Sequence, residues 1–220
     1  MYIGKGWNIL NELGPKYGYY PQAKKSLIIT TESERQVFLN IFKETGINIK
    51  VGARFLGGYI GENKNHYIGE KIQKWKNDID KLTIACRDSP QAAYTALTKS
   101  VQFQWIFFQR IIDGVEEHFQ TLDKALQNGF LPTLLGGNIS IEESDLFSLP
   151  FDKGGLGILK PSRYSRLNYE TSLKGNEQLI SAVCQHNTLD LNQHYQRLLD
   201  IRKESKQKKD IEDEKIRNST

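Results

Sequence analysis

Apolar residues recur at intervals of three and four along most of this chain, which is the spacing of one face of an α-helix. The longest series predicts an amphipathic helix of about five turns. It consists of Ile68, Ile72, Trp75, Ile79, Leu82 and Cys86. Similar series predict a helix from Ser89-Pro90, as N-cap and first helical residue, to about Ile112, and another over about 115–130. Because short connections join these segments, the pattern favours a helical bundle.

Shorter apolar runs in the first 60 residues predict strands. Ser26–Thr30 is a short apolar run that is β-branched toward its end, and residues 47–51 alternate between apolar and polar. Each is predicted to be a strand. A helix is predicted between them, because Thr31 and Glu34 have the spacing of a capping box. A further short helix is predicted before these strands, over residues 2–13.

A β-hairpin is predicted after the second of these strands. We expect Gly52-Ala53 to turn the chain, so that Arg54–Ile60 pairs with residues 47–51. The resulting order is β-α-β-β, and it is followed by long helices. This succession predicts the α+β fold class.

The C-terminal third is less regular in pattern. Glycine and proline punctuate residues 131–163, which are predicted to be irregular, and a helix is predicted over residues 164–185. From Arg197 onward positive and negative charges alternate, which is typical of a frayed, solvated helix or of disorder. We divide the chain into four regions, namely residues 1–61, 62–135, 136–195 and 196–220.

Composition narrows the class of protein only slightly. The formal net charge is +4 and the isoelectric point is about 8.9, which suits a nucleic-acid partner but also an ordinary soluble domain. Cys86 and Cys184 lie far apart without a CxxC motif, so neither a zinc site nor a disulfide framework is predicted. We find no apolar run long enough to span a membrane and no signal peptide. We therefore expect an intracellular protein, with nucleus and cytoplasm both open.

Few polar residues have the spacing of a catalytic or metal site. Asp78 and Asp80 form a D-x-D pair, but they lie in a predicted helix, where residues two apart do not face each other. We expect them to be exposed helix charges, as we do the acidic residues of the tail, Asp210, Glu212, Asp213 and Glu214. Gly154–Gly157 lacks the spacing of a phosphate loop, and the four histidines are scattered. No metal site is predicted.

Two N-terminal motifs combine small residues with positive charge. In Pro21–Ser26, PQAKKS, the lysines Lys24 and Lys25 precede a predicted strand, and a loop lysine is a flexible point charge suited to phosphate. In Arg54–Ile60, RFLGGYI, the glycines allow close approach of a nucleic-acid backbone. The alternatives are an ordinary surface turn and an ordinary hairpin with a glycine bulge.

These motifs resemble the part of a retroelement reverse transcriptase palm that follows the catalytic YxDD hairpin. The similarity covers roughly residues 5–162 and continues in order through Pro90–Tyr94, Ala96–Trp105, Phe130–Pro132, Leu149-Pro150 and Gly154–Ile158. It implies that Lys25, with Lys24 as its neighbour, faces the nucleotide triphosphate as a general acid. It also implies that a primer-grip hairpin contacts the primer end through Arg54, Phe55, Leu56, Gly57 and Gly58.

The same resemblance implies that the helices after residue 61 form a thumb that clamps a template–primer duplex. Its candidate nucleic-acid contacts are Lys71, Lys74, Lys99 and Arg110, each of which is otherwise an ordinary solvated residue. The implied partner is an RNA–DNA or DNA duplex, bound weakly and mainly through its phosphates, and not a membrane.

The complete enzymes of this family are Mg²⁺-dependent RNA-directed DNA polymerases, whose carboxylates hold two metal ions. None of those carboxylates has a match in this chain. We therefore expect no cofactor in this chain, no polymerase activity from it alone, and template–primer binding at most. Three alternatives stay open: a separate chain that supplies the missing palm half, a non-enzymatic nucleic-acid- or protein-binding helical module, and a degenerate gene fragment.

Overall fold

A computed structural model describes residues 3–219, which form two compact units divided between Tyr67 and Ile68. The chain is mostly helical with a few short strands, so the α+β class is confirmed at that level. No helix among the described residues is long and apolar enough to cross a membrane. The predicted N-terminal helix is confirmed as α1, Ile3–Leu13, while Tyr2 lies outside the described residues.

The first unit contains two helices and four short strands. After α1, 3₁₀ turns at Gly14–Tyr17 and Ala23–Lys25 precede β1 (Leu27–Ile29), α2 (Glu32–Ile41), β2 (Asn48–Lys50), β3 (Gly52–Phe55) and β4 (Gly58–Gly61). The strands β1 and β2 pair in parallel, with Ile28 opposite Ile49. The crossover α2 makes this pairing feasible, because parallel neighbours cannot be joined by a tight turn.

The predicted strand pairing was wrong, because residues 47–51 do not form a hairpin with Arg54–Ile60. Gly52-Ala53 is no turn but the start of β3, which pairs with β4 in an antiparallel hairpin. The turn lies at Leu56-Gly57, where φ is 45° and 84°. Positive φ at both central positions defines a type I′ turn, whose twist matches that of two antiparallel strands.

The open end of this hairpin requires glycine, because a side chain there would overlap neighbouring atoms. Gly52 lies opposite Gly61, and a Cβ at Gly61 would come within 2.2 Å of the Val51 carbonyl oxygen. The backbone at Gly61 also has φ of +98°, a conformation that L side chains rarely adopt. The hairpin therefore depends on glycine at its base as well as at its tip.

The second unit is a helical bundle. The helix α3 runs from Lys64 to Cys86, and its part from Ile68 onward belongs to this unit. The other helices are α4 (Pro90–Ala96), α5 (Gln102–Ile111), α6 (Glu116–Ala125), α7 (Leu131–Leu135), α8 (Ile141–Phe147), α9 (Ser165–Gln185) and α10 (Leu191–Ser219). The three long predicted helices are confirmed, with π-helical turns at Leu97–Val101 and Leu126–Phe130. Trp75 stands at the centre of the core, with its ring 5.2 Å from that of Phe108 and 6.2 Å from that of Phe119.

Residues 131–163, which were predicted to be irregular, contain α7 and α8. Pro132 does not break the chain, because it directly follows the π-helical turn Leu126–Phe130, where the regular i→i−4 hydrogen-bond ladder is already interrupted. Ser140 and Glu143 form a full capping box at the start of α8. The prediction relied on proline and glycine as breakers and overlooked this capping signal.

A capping box forms at Ser140 but not at Thr31, where the sequence predicts one. The Ser140 hydroxyl accepts a hydrogen bond from the Glu143 backbone N–H at 3.1 Å, whereas the Thr31 side chain makes no such bond. We expect Ser140→Ala to lower the free energy of unfolding by about 1 kcal/mol, and Thr31→Ala to lower it less. Urea unfolding followed by circular dichroism measures both, and equal losses would contradict the assignment.

The charged C-terminal region is a continuous helix, α10, rather than a disordered segment, and only Thr220 of it lies outside the described residues. It packs on α9, which itself packs on α5. Ile201 and Asp213 are buried in this packing. Asp213 is thus not the exposed helix charge that the alternating pattern predicts, and α10 belongs to the fold of the second unit.

Candidate functional site

Lys24 and Lys25 occupy an exposed turn immediately before β1, as the sequence predicts. The turn is held in place from two directions. The side-chain amide of Asn48, on β2, donates a hydrogen bond to the Lys24 carbonyl oxygen at 2.8 Å, and the Ser26 hydroxyl donates one to the Gln22 carbonyl oxygen at 3.0 Å. The backbone is therefore fixed while both ammonium groups remain available to an anion.

The hairpin tip exposes two apolar side chains. Phe55 is 55% exposed and Leu56 is 83% exposed, whereas Gly58 is buried. The Tyr67 hydroxyl donates a hydrogen bond to the Gly57 carbonyl oxygen at 3.0 Å, which anchors the turn. Exposed apolar groups on a glycine turn suit contact with a sugar or a base edge, although they carry no charge.

Arg54 lies against Tyr67. Its guanidinium is 5.0 Å from the centre of the Tyr67 ring, and the Tyr59 ring stacks on the same tyrosine at 5.3 Å. Cation–π contact of this kind orients an arginine without neutralising its charge. The predicted phosphate contact of Arg54 is therefore compatible with its position, but the side chain also has a structural partner.

The four helix cations predicted as thumb contacts lie in different surroundings. Lys74 forms an ion pair with Asp78 at 2.8 Å, Lys71 is half-buried, and Lys99 is exposed on a π-helical turn. Arg110, near the end of α5, lines a groove in the second unit, and none of the other three does so. The predicted set is therefore not brought together as one site.

The acidic residues do not fit a Mg²⁺ site. Asp78 and Asp80 are each paired with a lysine one turn earlier on α3, namely Lys74 and Lys76. Within residues 3–219 there is no group of three or more histidine, cysteine, aspartate and glutamate side chains that could hold a metal ion. The carboxylate set that two-metal nucleotidyl transfer needs has no counterpart in this part of the chain.

The glycines of Gly154–Gly157 form a structural turn, not a phosphate loop. Gly155 packs directly on backbone, because a Cβ there would lie 2.0 Å from the Leu149 carbonyl oxygen. The Leu156 backbone N–H donates to the Phe147 carbonyl oxygen at 3.0 Å. Several of the amides that could have bound phosphate are thus already used within the fold.

Sequence reasoning missed a groove that α5, α9 and α10 form in the second unit. Its volume is about 480 Å³. Positive side chains on its walls are Arg110, Arg202, Lys206 and Lys209, and no aspartate or glutamate lines it. The helix α9 adds hydroxyl and amide groups, with Thr171, Ser172 and Asn176 on the same groove. This concentration of positive charge with neutral donors is typical of an anion site.

Lys209 is the most buried cation of this groove. Burial and the positive charge of Arg110 lower its pKa, and Asp213 only partly opposes them. The ammonium donates to the Asn168 side-chain oxygen at 3.0 Å and lies 5.3 Å from the centre of the Tyr164 ring. A cation whose pKa is shifted by burial and by a neighbouring cation, and which lines a groove, is a candidate residue of a functional site.

A cavity of about 310 Å³ adjoins the groove and shares Arg110, Asn168, Lys206 and Lys209 with it. The cavity also contains acids, but Lys153 pairs with Asp213 at 3.0 Å and with Asp210 at 2.5 Å. Burial opposes the charge of Lys153, and these two bonds outweigh that effect and raise its pKa. Lys153 thus offsets only part of the negative charge of the cavity, where Asp213 also acts on Lys209 and Lys206 acts on Asp210.

A larger hollow of about 860 Å³ lies beside the lysine turn in the first unit. Its charged lining consists of Glu12, Glu44 and Lys43, two negative groups and one positive group, which does not favour binding of a phosphate. The hollow thus adds no chemistry to the lysine turn.

A signal for the groove is present in the sequence. Arg202, Lys206 and Lys209 are spaced by four and three residues, and this spacing places them on one face of a helix. The prediction treated the region as a solvated tail and did not look for a shared face. Arg110 was predicted as a nucleic-acid contact, but its three partners on α10 were not.

Comparison with protein-family models, with curated proteins and with solved structures gave no significant match for this chain.

Proposed function

We propose that this chain binds a template–primer duplex through its phosphates, as the post-active-site part of a reverse transcriptase palm and thumb, without catalysing nucleotidyl transfer. The observation that carries this proposal is the exposed lysine turn, Ala23–Lys25, fixed against β2 by the Asn48 side chain. A lysine turn before a strand and a later glycine hairpin follow one another along this chain in the order in which the resembling motifs occur.

Each motif has a distinct part in this function. Lys24 and Lys25 supply mobile positive charge that phosphate oxygens can approach from solvent. The Leu56-Gly57 turn brings backbone and apolar groups close to the end of a strand. Contacts of these kinds position a duplex without reading its sequence.

The proposed function does not include catalysis, because the described side chains do not supply the carboxylate ligands that two metal ions need. The resemblance implies that Lys25 approaches a triphosphate as a general acid, but a proton donor alone does not assemble the reaction. Among the described side chains no carboxylate cluster could hold the two metal ions. Lys25 is thus proposed as a phosphate contact, and an acid role would require a partner chain that brings those carboxylates.

The double variant Lys24→Ala/Lys25→Ala tests the proposed function. Each phosphate contact contributes about one unit to the slope of log affinity against log salt, so the slope should become shallower by about 2. Fluorescence anisotropy with a labelled RNA–DNA hybrid measures this change.

Lys5 and Lys16 provide the matched control, since both are exposed in the same unit. Lys5→Ala/Lys16→Ala removes the same charge and should leave most of the slope unchanged. Equal effects of the two double variants would mean that only net charge matters, and the lysine turn would then have no specific part. An aggregated sample without a cooperative melting transition would favour the degenerate fragment instead.

A further inference from the structure

We propose that the groove of α5, α9 and α10 is a separate phosphate-binding site that takes about three consecutive phosphate groups, from a nucleic-acid strand or from a free polyphosphate. It shares no residue with the lysine turn or the glycine hairpin. It therefore does not depend on the function proposed for the first unit.

The fold compensates the positive charge of the groove only in part, through Asp213 near Lys209 and Asp210 near Lys206. Neither Arg110 nor Arg202 forms a hydrogen bond or an ion pair with any residue of the described range. Lys206 lies close enough to Asp210 to lower the pKa of that carboxyl, but Asp210 is bonded to Lys153. Four cations thus line one groove, and no acid lines it with them.

The spacing of these cations matches a chain of phosphates. From Arg202 to Lys209, seven residues of α10 rise by about 10.5 Å. A helical nucleic-acid strand carries one phosphate per about 3.4 Å of its axis, so this rise is similar to about three intervals between phosphates. Arg110 faces the same groove from α5 and supplies a contact from a second direction.

Neutral donors complete the site. Thr171, Ser172 and Asn176 line the groove from α9. The Thr171 hydroxyl already donates to the Leu167 carbonyl oxygen at 2.6 Å, and the Asn176 amide donates one N–H to the Ser172 carbonyl oxygen at 2.8 Å, so the Ser172 hydroxyl and the second Asn176 N–H are the neutral donors left for an anion. Such side chains commonly bond phosphate oxygens beside arginine and lysine. Because α9 supplies these groups and α10 supplies most of the charge, an anion between the two helices would contact both.

The double variant Arg202→Ala/Lys206→Ala tests the site. Both side chains are exposed, so their removal should leave the fold intact. The probes are inorganic tripolyphosphate, measured by calorimetry, and a labelled single-stranded RNA, measured by anisotropy. We expect about tenfold weaker binding of at least one probe, and for RNA a salt slope that is shallower by about 2.

Lys203→Ala/Lys208→Ala is the matched control, because both lysines are exposed on α10 outside the groove and carry the same charge. The control should bind like the unmodified chain. Equal weakening by both double variants, or no binding of either probe at low salt, would overturn the site. If the first variant does not fold, Arg110→Gln on α5 tests the same groove and should also weaken binding.

Competition between the probes identifies the source of the phosphates. Displacement of the RNA by tripolyphosphate at comparable concentration would assign a free polyphosphate, and binding of RNA alone would assign a nucleic-acid strand. The groove and the lysine turn also separate experimentally. In a chain that already carries Lys24→Ala/Lys25→Ala, the further change Arg202→Ala/Lys206→Ala should still weaken tripolyphosphate binding, so failure of the template–primer proposal would not remove this one.

Discussion

Replacement of Asp213 with alanine is expected to lower the free energy of unfolding by about 3 kcal/mol, because a buried ion pair would lose one partner. Asp213 is 4% exposed. It accepts hydrogen bonds from the Lys153 ammonium at 3.0 Å and from the Tyr164 hydroxyl at 2.5 Å. Burial and the bond to Asp213 raise the pKa of Tyr164, which therefore acts as a donor throughout the physiological range. Without Asp213 this hydroxyl loses its carboxylate partner, and Lys153 keeps only Asp210.

Glu214→Ala is the control for this prediction. Glu214 is the next residue on α10, carries the same charge and is exposed, so its loss should change the free energy of unfolding by no more than about 0.5 kcal/mol. Urea unfolding of both variants, followed by circular dichroism, gives the comparison. Similar small losses for the two would show that α10 does not depend on the buried cluster.

Replacement of Gly155 with alanine is expected to lower the free energy of unfolding by a similar amount, about 3 kcal/mol. The added Cβ would lie 2.0 Å from the Leu149 carbonyl oxygen and 2.7 Å from that of Leu146. Both neighbours are backbone atoms, which cannot move aside as the end of a flexible side chain can. Relief of the overlap would displace the end of α8 and the turn that follows it.

Gly137→Ala provides the matched comparison, because a Cβ at Gly137 would meet no atom within 4 Å. Alanine there should leave the stability unchanged or raise it slightly, since it restricts the unfolded chain. Thermal unfolding of the two variants measures the difference. Equal melting temperatures for Gly155→Ala and Gly137→Ala would contradict the close packing of this turn.

Helical spacing in the sequence was sufficient to predict the long helices of the second unit. The apolar series from Ile68 to Cys86 marks one face of α3, and the core residues along it are buried as predicted. Such a pattern depends only on neighbours three and four residues away. The lysine turn before β1 was predicted for the same reason, because a turn and the first residue of a strand depend on residues close by in the sequence.

Strand pairing and the burial of α10 were not predictable in this way. Residues 47–51 alternate equally well as part of a hairpin or of a parallel pair, and the choice of β1 as partner involves residues more than 20 positions away. Asp213 resembles a solvated charge until Lys153 and Tyr164 are brought to it by the fold. The groove forms where three helices meet, so the spacing of residues along one helix does not predict it. Of its cations, only Arg110 was predicted as a contact.

The central claim is that this chain binds a nucleic-acid duplex through its phosphates, and one titration tests it most directly. Fluorescence anisotropy of the purified chain with a labelled RNA–DNA hybrid would be measured across a salt series, with a single strand of the same sequence beside it. We predict tighter binding of the hybrid and an affinity that falls steeply as salt rises. No binding at low salt, or an affinity that does not change with salt, would contradict the claim.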